Sequence, residues 1–156
     1  DQEQKTLYRR ADEESNQYLS EISTAITVGM MKQSLISGTA AYAGSQGLRD
    51  IWAGKTGTTS DNKDAWFVAF NRFETTAVWV GYDNSTTTRL TGSSGAVPIW
   101  TNYTKWSQNR WPHEDFPWPE KVEEKVVTLE DLQRKEFQLE TQPELKLIFK
   151  KSFFGF

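Results

Sequence analysis

One stretch in the first third of the chain has apolar residues at helical spacing. The recurring positions are Ile22, Ile26, Met30 or Met31, and Leu35. Ser20 and Ser23 are suitable N-caps at its start, and Gly38 is a suitable C-cap at its end. We therefore predict one amphipathic helix over residues 23–37, with the methionines as core filler.

Three shorter segments follow, and they alternate as strands do. They cover residues 51–59, 65–71 and 75–82. In the second, Trp66, Val68 and Phe70 share one face, while Phe67 and Ala69 share the other. Because both faces are apolar, we predict a sheet covered on both sides, with Trp66 and Trp79 packed in the core. The short connections indicate hairpins, and hence one antiparallel sheet.

A second helix is predicted from about residue 97, where Pro98 suits the first helical turn. Three aromatic residues are expected to share one face and pack on the sheet: Trp100, Tyr103 and Trp106. The Pro-rich stretch at 111–119 ends this helix. Residues 121–140 fit either a charged helix or a strand around 126–129, and the chain closes with an apolar segment at 145–156.

These elements predict an α+β fold, an antiparallel sheet flanked by helices. We divide the chain into a polar linker or hairpin at 1–18, a central domain at 19–111, and a Pro-rich strap with a C-terminal tail at 112–156. The N-terminus at Asp1 has neither the charge nor the apolar run of a signal peptide, which is typical of a fragment.

The charge and composition of the chain exclude several classes of partner and cofactor. The 156 residues carry a net charge of −3 without a basic run, which argues against nucleic acid or an anionic membrane surface as a partner. No stretch approaches the roughly 20 apolar residues that cross a bilayer. Cysteine is absent and His113 is the single histidine, so we predict no metal site and no cofactor.

The segment around Lys55 admits two chemistries, and phosphate binding is the weaker. Gly54, Lys55 and Thr56 match the end of a P-loop, but Arg49 stands where that motif needs its first glycine. A P-loop must also lead into a helix, whereas a strand is predicted after this segment.

Acyl transfer on a peptide-like substrate fits the segment better. Lys55 offers a fixed cation for a substrate carboxylate, and the hydroxyls of Thr56 and Thr58 offer hydrogen bonds to it. Gly57 allows a second backbone to come close. The Thr58 N–H is a candidate donor to a developing oxyanion. We therefore predict a substrate-binding strand made of these four residues.

The neighbouring motifs carry a family resemblance over about residues 19–106. They are Gly38-Thr39-Ala40, Ala53-Gly54-Lys55-Thr56-Gly57-Thr58-Thr59, Asp64-Ala65-Trp66-Phe67-Val68, Trp79-Val80-Gly81-Tyr82-Asp83 and Ala96-Val97-Pro98-Ile99-Trp100. Their order and spacing resemble the class A penicillin-binding proteins, which are bifunctional peptidoglycan synthases. The resemblance implies that residues 19–111 are the C-terminal part of a transpeptidase domain.

That family resemblance implies a serine acyltransferase with three motifs, Ser-x-x-Lys, Ser-x-Asn and Lys-Thr-Gly. Only the third is assigned here, and Ser60-Asp61-Asn62 is interpreted as a turn. The nucleophilic serine is expected upstream, so no catalytic residue is assigned in this chain.

The resemblance also implies the ligands, the protein partner and the cellular location. The expected ligands are peptidoglycan stem peptides and β-lactams, and the expected protein partner is the remainder of the same transpeptidase domain. It implies an extracytoplasmic location, with the membrane reached only through an anchor outside the chain. Two alternatives stay open: a non-catalytic module that binds peptidoglycan or a partner, and a relative of the D,D-carboxypeptidases or β-lactamases.

Overall fold

A computed structural model describes residues 17–127 and 145–150. The predicted first helix is present, and α1 spans Glu21–Ile36, so it begins two residues before the predicted start. Met30 is 58% exposed, so the prediction of core filler is wrong for this methionine. Ser20 is its N-cap, because its Oγ accepts a hydrogen bond of 3.1 Å from the Ser23 N–H. The C-cap is Ser37 rather than Gly38, which corrects the predicted helix end by one residue.

The predicted strands form one antiparallel sheet in the order β1-β2-β3. The strands are β1 (Ala53–Thr58), β2 (Asp64–Phe70) and β3 (Thr75–Gly81). Gly57 lies opposite Trp66, which lies opposite Trp79. The α+β prediction and the hairpin pairing are confirmed.

Helix α3 (Val97–Ser107) covers one face of this sheet. Trp100 is fully buried there, and its ring meets the rings of Phe67 and Trp52 edge-on at 5.0 Å. Its Nε1–H donates to Thr76 Oγ1 at 2.7 Å, so the one polar atom of the indole is satisfied. This aromatic contact between helix and sheet is the centre of the core.

The opposite face is exposed at Trp66 and Trp79 among the described residues, so the prediction that these two tryptophans pack in the core is wrong. Its other end is partly covered by the strap, because the Phe70 ring lies 5.7 Å from the Phe116 ring. Trp66 is 41% exposed and Trp79 is 42% exposed, and their rings lie 6.2 Å apart. The two tryptophans pack on each other across the strands instead of entering the core. Alternation revealed two apolar faces, but α3 lies on only the face that carries Phe67.

The aromatic residues of α3 also diverge from their prediction. Trp100 is buried, but Tyr103 is only partly covered and Trp106 is 75% exposed. Three residues of an α-helix turn through about 300°, which falls short of a full turn. After two such steps the side chain of Trp106 points well away from that of Trp100. Thr101 and Thr104 occupy the buried side in their place.

Two further segments contain helical turns. After α1 the short helix α2 (Ala41–Ala43) continues into a wide helical turn at Gly44–Leu48, where Gly47 has a φ of 89°. A second wide turn, Gly92–Ala96, leads into α3. Pro98 lies in the first turn of α3, as predicted.

The Pro-rich strap is held to the rest of the fold by ion pairs and rings. Arg72 contacts Glu114 at 2.7 Å, and Lys32 contacts Asp115 at 2.6 Å. After the strap, β4 (Val122–Val127) pairs antiparallel with β5 (Leu145–Lys150), and the backbone of β5 runs beside α1. A strand, not a helix, therefore follows the strap. The rest of 121–140, residues 151–156 and most of 1–18 lie outside the described residues, and the domain boundaries stay predictions.

Across the described ranges, none of the helices combines the length and the apolar character that crossing a membrane requires.

Candidate substrate-binding site

Strand β1 places the predicted site residues at an edge of the sheet, because its hydrogen-bonded neighbour among the described strands is β2 alone. Lys55 and Gly57 lie opposite Val68 and Trp66, and so belong to the open face. Thr56 and Thr58 alternate with them. The Lys55 Nζ donates to the Thr56 C=O at 2.9 Å, so the ammonium group lies against the backbone of its own strand.

The loop before α3 fastens the far end of β1. The Gly92 N–H donates to Thr58 Oγ1 at 3.0 Å. A Cβ on Gly92 would lie 2.5 Å from the Trp66 C=O oxygen and 2.8 Å from that of Gly57. Only glycine lets this loop approach the two strands so closely. The Thr58 hydroxyl accepts one bond here and keeps its own proton to donate.

Helix α1 and the residues after it fasten the near end of β1. Ser34 Oγ donates to the Gly54 C=O at 2.7 Å, and Thr39 Oγ1 lies 2.7 Å from Thr56 Oγ1. Sequence reasoning did not assign Ser34, Thr39 or Gly92 to the site. Gly38-Thr39-Ala40 was a signal, since it belongs to the set of neighbouring motifs.

Sequence comparisons relate the chain to known proteins. The chain is 42% identical over 98 residues to penicillin-binding protein 1B of Vibrio cholerae, which covers 62% of the chain and 12% of that protein. It is 43% identical over 108 residues to penicillin-binding protein 1A of Aquifex aeolicus, covering 68% of the chain and 15% of that protein. The chain belongs to the class A penicillin-binding proteins.

The fold is also similar to that of a solved structure. It matches the crystal structure of penicillin-binding protein 1A from Haemophilus influenzae with a TM-score of 0.66, over 85% of this chain and 20% of that one, at 22% identity. No protein-family profile matches the chain. Because the chain spans less than a sixth of the two relatives named above, it is similar to a segment of a penicillin-binding protein, within the transpeptidase domain.

The structure argues against phosphate binding by a P-loop around Lys55. Lys55 lies in a strand, and β1 passes through a three-residue turn at Ser60–Asn62 directly into β2. Phosphate binding of the P-loop kind needs a helix N-terminus at that point. Lys55 therefore lies in the edge strand of a sheet and not in a P-loop.

Ser60-Asp61-Asn62 forms a turn, as predicted, with left-handed φ values of 61° at Asp61 and 50° at Asn62. The sequence interpretation overlooked that Ser60 and Lys63 have the Ser-x-x-Lys spacing. On a helix this spacing would put the two side chains on one face. The left-handed residues break that geometry, and the Lys63 Nζ lies 3.8 Å from an Asp61 carboxylate oxygen.

The remaining polar candidates have structural positions. Asp64 accepts hydrogen bonds from Thr59 Oγ1 and Trp79 Nε1, each at 3.0 Å. His113 is exposed. Among the described residues, no cluster of three histidine, cysteine or acidic side chains could hold a metal.

Proposed function

We propose that this chain supplies the substrate-binding strand of a peptidoglycan D,D-transpeptidase domain, which cross-links stem peptides through an acyl-serine and binds β-lactams. The nucleophilic serine lies outside the chain. The observation that carries the proposal is the position of Lys55, Thr56, Gly57 and Thr58 on β1, at a sheet edge that no other described strand pairs.

An edge strand suits an extended peptide, because its outward N–H and C=O groups can pair with a second backbone. The Lys55 ammonium adds a cation for a substrate carboxylate, and a charge-assisted hydrogen bond contributes about 1.5–3 kcal/mol. The Thr58 N–H is the proposed donor to the oxyanion formed when the serine attacks, and one such donor is typically worth about 2.7–4 kcal/mol. These groups bind and orient the acyl donor.

The chain holds no assembled nucleophile among its described residues. Ser60 has a lysine at the right spacing, but the turn that carries it is not a helix and its lysine neighbours Asp61. An unactivated serine hydroxyl stays protonated and is a poor nucleophile. We therefore propose that residues outside the chain supply the serine, its base and the opposite wall of the cleft.

Membership of the class A penicillin-binding proteins supports an extracytoplasmic setting. We propose that the parent protein is anchored in the cytoplasmic membrane by a segment outside this chain, and that its transpeptidase domain faces the cell wall. Peptidoglycan stem peptides and the remainder of that domain are the proposed partners.

The test is covalent labelling with fluorescent penicillin, read on a denaturing gel. We expect no covalent band from the purified chain, and a band from a longer protein that includes the upstream part of the domain. In the longer protein, Lys55→Ala should slow acylation by roughly tenfold or more, because a charge-assisted hydrogen bond of about 1.5–3 kcal/mol is lost. Thr58→Ala should slow it less, because the variant loses the hydroxyl but keeps the backbone N–H proposed as the oxyanion donor.

Ser60→Ala in the longer protein is the matched control, and it should label like the parent. Labelling of the chain alone that maps to Ser60, or to any of its serines, would overturn the proposal that the nucleophile lies elsewhere. A longer protein that binds peptidoglycan but never labels would favour the non-catalytic module instead.

A further inference from the structure

Two hydroxyl groups contact β1, one from a residue of α1 and one from a residue that follows this helix. Ser34 Oγ holds the Gly54 C=O, and two residues along the strand Thr39 Oγ1 meets Thr56 Oγ1. Both distances are 2.7 Å, in the range of good hydroxyl hydrogen bonds. The strand that carries Lys55 is thus held on both sides of that residue, at Gly54 and at Thr56.

The backbone around Thr39 is itself fixed. The Ala40 N–H donates to the Ser34 C=O at 2.9 Å, and the Ala41 N–H donates to the Gly38 C=O at 3.0 Å. A Cβ on Gly38 would lie 2.8 Å from the Ser34 Cα, so glycine is required for this tight path. Thr39 therefore presents its hydroxyl from an anchored position.

The direction of the Thr39–Thr56 hydrogen bond decides what Thr56 can offer a ligand. A hydroxyl has one proton and two lone pairs. If Thr56 donates to Thr39, it presents only lone pairs to a carboxylate, which repel it. If Thr39 donates, Thr56 keeps its proton for the carboxylate. Hydrogen bonds in such a chain polarise one another and strengthen the terminal donor.

We propose that Thr39 is a positioning residue, which donates to Thr56 Oγ1 and so directs the Thr56 proton to the carboxylate of the bound substrate or β-lactam. Thr39 need not touch the ligand. This inference rests on the proposed function, because it assumes that β1 binds a carboxylate-bearing acyl donor.

The experiment uses the longer protein that labels with penicillin, and it separates binding from acylation. Stopped-flow measurements with a carboxylate-bearing β-lactam give the dissociation constant of the initial complex and the acylation rate constant. Thr39→Val keeps the side-chain shape and removes the hydroxyl. We expect about fivefold weaker initial binding, since one hydrogen bond is lost, with little change in the acylation rate constant.

Three companion variants separate positioning from general packing. Thr39→Ser restores the hydroxyl and should restore binding. Thr27→Val removes a comparable hydroxyl from α1, one bonded to the Ser23 C=O at 2.8 Å, and should bind like the parent. In a Thr56→Val background, Thr39→Val should have no further effect, because the group that it orients is gone.

Several outcomes would overturn the inference. They are unchanged binding in Thr39→Val, failure of Thr39→Ser to rescue, or a full effect of Thr39→Val in the Thr56→Val background. If Lys55→Ala still slows acylation in that case, the proposed function stands and only the role of Thr39 is lost. If neither Lys55→Ala nor Thr39→Val changes any step, both proposals fail.

Discussion

The two faces of the three-stranded sheet both carry aromatic residues but have different surroundings. On one face, Phe67 packs with Trp100 of α3 and is fully buried. On the other, Trp66 and Trp79 contact each other and stay more than two-fifths exposed. The comparison teaches that an apolar face of a strand need not be covered within the chain that encodes it. It also separates residues that stabilise this chain from residues available to a neighbouring part of the domain.

The strongest challenge to this contrast is removal of the central core residue. Trp100→Ala should lower the free energy of unfolding by about 3–5 kcal/mol, because it empties a buried site and leaves Thr76 Oγ1 without its donor. Trp106→Ala on the same helix is the control and should change stability by less than about 0.5 kcal/mol. Urea unfolding followed by circular dichroism measures both. Equal losses would show that the exposure of Trp106 is misassigned.

Glycine substitutions sharpen the comparison at the level of the backbone. Gly92→Ala should cost about 1–3 kcal/mol, because the added Cβ would press on the backbone of β1 and β2. Gly57→Ala should cost much less, since its Cβ would meet only the Trp66 Cβ, at an ordinary 3.4 Å. The same unfolding measurement compares them. A larger loss for Gly57→Ala would contradict the assignment of its face as open.

The smallest effect is expected on the open face itself. Trp79→Ala should cost about 1 kcal/mol in the purified chain, as it removes the ring pair with Trp66 and the hydrogen bond to Asp64. In a longer protein in which the rest of the domain covers this face, the same change should cost more. Equal costs in the two proteins would mean that nothing further packs there.

Much of the local structure could be predicted from the sequence. Ser20 as N-cap, Pro98 in the first turn of α3 and the turn at Ser60–Asn62 all depend on residues within a few positions of one another. The three strands and their pairing followed from alternation and short connections. The four candidate site residues, 55–58, lie in β1, within the strand predicted over 51–59. Their role in binding stays a prediction.

The errors concern relations between elements. Trp106 was assigned to the core because residues at a spacing of three were taken to share a face, although the helix turns too far over two such steps. The fastening of β1 by Ser34, Thr39 and Gly92 was not predicted, since no local pattern links these residues to the strand. Ser60 and Lys63 had a catalytic spacing that only the backbone angles of the turn could exclude.

The sequence by itself determined α1, the three strands, α3, their order and the consecutive residues proposed to bind a peptide-like substrate, because these depend on neighbours a few residues apart. Only the tertiary structure decided which face of the sheet α3 covers and which hydroxyls meet at β1. Thr39 and Thr56 are 17 residues apart, and Thr58 and Gly92 are 34 apart. Contacts of that separation depend on how all the intervening elements pack together, and no short sequence pattern records that result.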